Sequence, residues 1–266
     1  EIPLANKGVT RGPKSLIPRR MQYLGPGLDM KTVFKTTKIS EKTQQHLSKV
    51  YSTLLATVMS AFAGAYVSMS SGLVSTSAAP GAMFGGFIVM LVLACTKTTN
   101  VTLRIGLMML FGLLEGLSLS PLLQMAVAVD ERIVATAFLG TATIFLCFSL
   151  AAITSKRRSF LYLGGILGST LTFLLISSLL NVFFQSMFLF NVELYLGLAM
   201  FVGYILFDTQ VIIERAENGN DDFVWDAMKL FIDLVGIFVR LLIILIKLNK
   251  KGRDSRSGNN ALDSVV

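Results

Sequence analysis

Apolar residues in this chain come in long runs, not in the narrow stripes of a soluble helix. A helix needs about 20 predominantly apolar residues to cross a bilayer. Six runs approach or exceed that length: 51–70, 82–96, 103–129, 133–155, 160–184 and 187–213. The second is short but extends back to Pro80. The joins between them are short, which makes successive helices antiparallel neighbours. A seventh segment, 223–248, is helical in period but carries Asp226, Lys229, Asp233 and Arg240. Steps of 3, 4 and 7 residues put all four on one stripe of a helix. Leu, Ile, Val and Phe fill its other faces. Such a segment belongs inside a bundle, with its stripe turned to other helices or to water. The pattern predicts an all-α membrane protein whose helical domain covers 50–248.

The flanks read differently. Residues 1–49 are polar, contain Pro3, Pro13, Pro18 and Pro26, and lack the apolar core of a signal peptide. They are expected to be a largely disordered cytosolic segment with a short helix near 40–50, started by Ser40. The stretch "MKTVFKTTKISEKTQQHLSKVY" from Met30 has the character of a lead-in to a first span, so the native start is expected near Met30. Residues 249–266 are expected to form a basic, disordered tail.

Composition supports a lipid environment. Hydrophobic residues make up 53% and charged residues only 15%, against about 25% charged in soluble domains. The net charge of +8 is concentrated beside the apolar runs, so it points to anionic lipid. It is not the basic folded surface that nucleic acid requires. Lys and Arg near spans mark the cytosolic side. They occur in the N-terminal tract, at Lys97 and Arg104, at Lys156, Arg157 and Arg158, and at Arg215. Loops on the other side are poor in both, Arg132 excepted. The N-terminus is therefore expected in the cytosol. The seventh segment is then either re-entrant, or it crosses and carries a basic tail to the unfavoured side.

Most candidate chemistry is carboxylate. Asp208 interrupts the apolar stretch "GYILFDTQVIIERAE", where an unpaired charge is costly. Its simplest partners are Arg240 or a helix cap. Asp226 with Lys229, and Lys229 with Asp233, have the spacing of ordinary intrahelical pairs. Glu115, in "LLEGLSLSP", has no charge near it in sequence. His46, the single histidine, reads as a solvated or lightly packed imidazole in the lead-in. Gly164, Gly165 and Gly168 make a small-residue face suited to close helix packing. Cys95 and Cys147 read as small hydrophobes. No GxSxG, HExxH, CxxC or phosphate-binding loop is present, so an enzyme and a bound cofactor are not expected.

Several stretches together carry a resemblance. They are "QQHLSKVY", "GAYV", "TAFLGTATIFLCFSL", "RRSFLYLGGIL", "NVFF", "LYLGLAMFVGYILFDTQVIIERAENGNDDFV" and "FVRLLIIL". In this order, over 44–248, they resemble the Bax inhibitor motif family. The resemblance implies a seven-helix protein of the endoplasmic reticulum membrane, with the last helix surrounded by the other six. It implies suppression of apoptosis and a pH-sensitive calcium leak, calcium being the transported ion. It assigns a pH-sensing, calcium-gating pair to Asp208 in "FDTQ" and Asp233 in "LFID". Lys229 departs from the pattern, since its position is often uncharged or acidic in animal members. A cation there would partly neutralise the pair. Arg240, Asp226 and Glu115 are expected as tuning residues.

Two carboxylates in hydrogen-bond range cannot both be ionised cheaply and titrate as a unit. Sharing one proton they lock two helices; fully ionised they repel or take a cation. Calcium prefers six to eight oxygen ligands, so two carboxylates plus water form a weak site, as a conduction path requires. The alternative is a non-conducting membrane protein that regulates apoptosis by binding Bcl-2 family members, with structural acids.

Overall fold

A computed structural model describes residues 40–71, 79–155 and 159–263. The proline-rich N-terminal tract, the expected start at Met30 and the basic residues Lys156, Arg157 and Arg158 lie outside the described residues. Those described form eight helices and no strand: α1 (Glu41–Ser71), α2 (Ala79–Cys95), α3 (Val101–Ser118), α4 (Ser120–Val129), α5 (Arg132–Thr154), α6 (Leu163–Phe184), α7 (Met187–Glu217) and α8 (Phe223–Asp263). Of these, α1, α3, α5, α6 and α7 are long and apolar enough to cross a membrane, and α2 and α4 are shorter apolar helices.

Three boundaries differ from expectation. The short lead-in helix and the first span are one continuous helix, begun by Ser40, whose Oγ accepts from the Thr43 backbone N–H at 3.2 Å. The run at 103–129 is divided at Leu119, just ahead of Pro121 in the first turn of α4. Proline lacks the N–H and its ring crowds the preceding turn, which bends a helix there. The segment expected to end in a disordered tail at 249 stays helical to Asp263. Lys250 and Lys251 are good helix formers, and no proline follows to stop the helix.

The last helix is lined by fewer helices than expected. It packs against α7, α1, α5, α4 and α3, which belong to four of the six preceding apolar runs. Helix α2 instead lies on α3, and α6 lies on α7. Both outer helices are apolar on nearly every face, and each buries only three residues. Such helices gain little from the centre and suit lipid. In α8, by contrast, Leu230, Phe231, Ile237 and Leu242 are fully buried.

The closest helix contact runs between α1 and α3. A Cβ on Gly64, Gly112 or Gly116 would overlap the backbone of Leu113, Thr57 or Ala61 respectively. This is the small-residue packing of membrane helices, and it lies elsewhere than expected. Gly165 and Gly168 have no neighbour within 4 Å; only Gly164 of that group is close to another side chain, Phe207. Glycine spacing alone does not reveal which helix will approach.

Helix α8 is unbroken and antiparallel to α7. Its Asp226 meets Arg215 near the end of α7, at 2.9 Å. Its Lys247 reaches Asn191 near the start of α7, at 2.6 Å. The 21 residues between correspond to about 32 Å of helix, the thickness of a hydrocarbon core. Unbroken over that distance, α8 has the length of a crossing helix.

Two outcomes follow. Gly116→Val should destabilise the bundle by about 1–3 kcal/mol through overpacking, with Gly168→Ala nearly neutral, both read by thermal unfolding in detergent. Single cysteines at Lys42 and Lys251, in a chain without Cys95 and Cys147, should react with a membrane-impermeant maleimide from opposite faces of sealed vesicles. Labelling from one face would contradict a crossing α8.

Candidate functional site

The ends of α7 and α8 are shaped by local chemistry. Ser186 caps α7, its Oγ accepting from the Leu189 N–H at 3.4 Å. The turn before α8 is held by Asn220, whose side-chain oxygen accepts from the Asp222 N–H at 3.0 Å. Asp222 then caps α8, accepting from the Trp225 N–H at 3.1 Å. The same carboxylate oxygen takes the buried Arg104 guanidinium of α3 at 2.8 Å. These contacts fix where α8 enters the bundle.

Asp208 of α7 and Asp233 of α8 come together inside it. Both are buried, at 8% and 4% exposure, and their carboxyl groups are within hydrogen-bonding reach. Two facing carboxyls can bond only through a proton carried by one of them. The second oxygen of Asp233, Oδ2, is buried without a hydrogen-bond partner. The positive charge of Lys229 acts on both carboxyls. Tyr204, one turn before Asp208, is close enough to feel both as well. Thr209, next to Asp208, is fully buried and brings its hydroxyl near those of Tyr51 and Ser149. Polar atoms of α1, α5, α7 and α8 thus gather around the level of the pair.

The other expected residues are placed differently. Asp226 makes its close contacts across helices, not with Lys229 one turn on. Its Oδ2 lies 3.0 Å from His46 Nε2 of α1, and its Oδ1 accepts from Arg215 of α7 at 2.9 Å. His46 is accordingly buried, at 6% exposure, and is not a solvated imidazole. Arg240 does not reach Asp208. It donates to the Gly236 carbonyl at 3.1 Å, and its guanidinium lies 4.5 Å from the centre of the Phe201 ring, a cation–π contact. Gly197 faces it because a Cβ there would overlap the guanidinium. Glu115 is half-buried on α3 and is not among the charges acting on the pair.

Sequence reasoning missed the roles of His46, Arg104 and Asp222. The available signal was Asp226, an acid on a buried stripe that had to be matched by cations from other helices. Chemically, the arrangement can hold a shared proton or give two oxygens to a passing cation. Among the described residues no group of three or more His, Cys, Asp or Glu side chains converges as a metal site. Two carboxylates alone leave a hard divalent cation mostly hydrated.

Comparison with known proteins covers nearly the whole bundle. The family described as "Inhibitor of apoptosis-promoting Bax1" matches residues 43–250. Bax inhibitor 1 of Homo sapiens is 42% identical over 228 residues, 85% of this chain and 95% of that protein. Bax inhibitor 1 of Mus musculus is 42% identical, over 82% of this chain and 92% of that protein. Bax inhibitor 1 of Arabidopsis thaliana is 40% identical, over 79% and 84%.

The His46–Asp226–Arg215 contact should be structural. His46→Ala leaves one buried carboxylate oxygen unmatched and should cost about 1–3 kcal/mol, seen as a lowered midpoint of thermal unfolding in detergent. An unchanged midpoint would show that the contact carries no stability.

Proposed function

The chain belongs to the Bax inhibitor family, a family of apoptosis-inhibiting membrane proteins, and on that premise we propose that it is a calcium leak pathway gated by the Asp208–Asp233 pair. The observation that carries the proposal is the meeting of two buried carboxyls from neighbouring helices within hydrogen-bonding reach. With one proton between them, the carboxyls bond α7 to α8 and offer no net site for a cation. Without it, two negative charges face each other in a low-dielectric interior, which favours separation or occupation by a cation.

Calcium fits the second state because it is a hard ion that takes carboxylate oxygens. The pair supplies too few ligands to trap it, and weak binding is what passage demands. Lys229 tunes the site by opposing cation entry. Asp226 acts indirectly, by fixing α8 against α1 and α7. The expected tuning roles of Arg240 and Glu115 have less support, as neither acts on the pair. The proposed location is the endoplasmic reticulum membrane with a cytosolic N-terminus, and the proposed consequence is lower luminal calcium and suppressed apoptosis. The role is transport, with calcium as cargo and no resident cofactor.

A second reading keeps the protein non-conducting, as a membrane regulator of apoptosis that binds Bcl-2 family members. It draws on the family description, which names Bax1. In that reading the aspartates only hold helices together.

Calcium flux from proteoliposomes separates the two. Changing both Asp208 and Asp233 to Asn removes every ionised state of the pair. Flux should then drop about tenfold or more, and its response to pH should vanish. Unaltered flux with an unaltered pH profile would falsify gating by the pair, and no flux from the wild-type protein would favour the second reading.

A further inference from the structure

Beside the central helix is a cavity of about 280 Å3 that the calcium pathway does not use. It lies between α1 and α5. Its deep wall is one face of α8, formed by Phe231, Leu234, Val235 and Phe238. Those positions are spaced 3, 4 and 7 residues apart, so they share a helix face. Asp233 lies one step round the helix from it. The division between α3 and α4 contributes Gly116, Leu119 and Leu123 to another wall.

Three observations define what the cavity takes. First, its wall is hydrocarbon: of all the lining side chains, only Tyr66 carries an oxygen and none carries nitrogen. Water and polar ligands have nothing to bond there, and cavities of this kind are dry. Second, it opens sideways. Helices α1 and α5 do not pack along their lengths and meet at Phe62 and Phe138, whose ring centres are 4.9 Å apart. Phe62, Tyr66 and Met69 line the cavity and are also exposed on the outside of α1. Because α1 is long and apolar enough to cross a membrane, lipid is the medium that such an opening would meet. Third, the volume falls just below the usual range for small-molecule sites, about 300–1,000 Å3. A site of that size, lined by hydrocarbon and open to the side, suits a single flexible hydrocarbon chain.

We propose that this cavity is a binding site for one acyl chain of a membrane lipid, entering tail-first between α1 and α5 and packing against α8. Filling it restores the dispersion contacts that lining atoms lose beside a void. Tyr66 stands at the mouth, where an amphipathic aromatic ring suits the headgroup level. The bound tail contacts the helix that carries Asp233 without touching either carboxyl, so the site responds to the hydrocarbon of the bilayer and not to calcium.

The test uses the full chain in phosphatidylcholine vesicles whose lipid carries a diazirine in the middle of one acyl chain. After irradiation, adducts are mapped by mass spectrometry. Adducts are expected on Leu234, Val235 or Phe238, which face the cavity, as well as on the outward residues Leu179 and Phe183 of α6. Ala65→Trp narrows the cavity and should reduce the α8 adducts by about fivefold or more, leaving those on α6 unchanged. Val127→Phe, from α4, is an independent plug with the same expected result if the first variant folds poorly. Adducts confined to outward residues would overturn the proposal, as would α8 adducts that neither plug reduces. A sterol or another protein helix seated in the cavity predicts the first of those results. The readout is independent of ion flux, so it stands or falls apart from the calcium pathway.

Discussion

Burial of charge is the constraint from which the arrangement follows. Helix α8 brings Asp226, Lys229, Asp233 and Arg240 into a bundle built from apolar helices. Removing one partner of a buried charge pair is expensive, so each charge dictates what neighbouring helices must supply. Asp226 requires His46 from α1 and Arg215 from α7. Arg104 of α3 requires Asp222 at the entry to α8. Arg240 is matched by a carbonyl and an aromatic face. Asp233 is matched by another acid, Asp208, buried like itself. Most of these matches fix structure. The carboxyl pair differs from them in setting two acids against each other in place of opposite charges.

Packing and electrostatics divide the bundle between them. Helices α1 and α3 approach through glycines at 64, 112 and 116, with backbone nearly touching backbone. This contact needs no charge, because lipid offers no hydrophobic drive and shape must supply the attraction. The outer helices α2 and α6 carry no charged residue, and Gly164 of α6 meets a side chain, Phe207, where the α1–α3 glycines meet backbone. They complete the apolar exterior around the charged centre.

The sequence made most of the architecture readable because apolar run length is a one-dimensional signal. Five of the runs reappear as helices long enough to cross, and the run at 82–96 reappears as the shorter α2. The break at Leu119 was also signalled, by Pro121, though a long apolar run around it hid the division. Pairing across helices was harder to read. The stripe on α8 suggested intrahelical bonds for Asp226, but its partners are 180 and 11 residues away. His46 looked solvated for the same reason, since burial of a lead-in residue depends on another helix crossing over it. The meeting of Asp208 with Asp233 was legible only through family resemblance. Spacing alone equally suggested Arg240, which the fold carries two turns beyond Asp233.

The clamp at the entry to α8 has a mechanical consequence. Contacts through Asp222 and Asp226 fasten that end to α1, α3 and α7 by charge, whereas farther along α8 is held by apolar packing at Leu242 and Ile246 and by Lys247, which bonds Asn191 and lies over the Phe190 ring. Asp233 is seven residues from Asp226, about 10 Å along the axis, so it lies two turns from the charge-fastened end. The two acids therefore meet on the stretch of α8 whose position is set by charge contacts to three other helices.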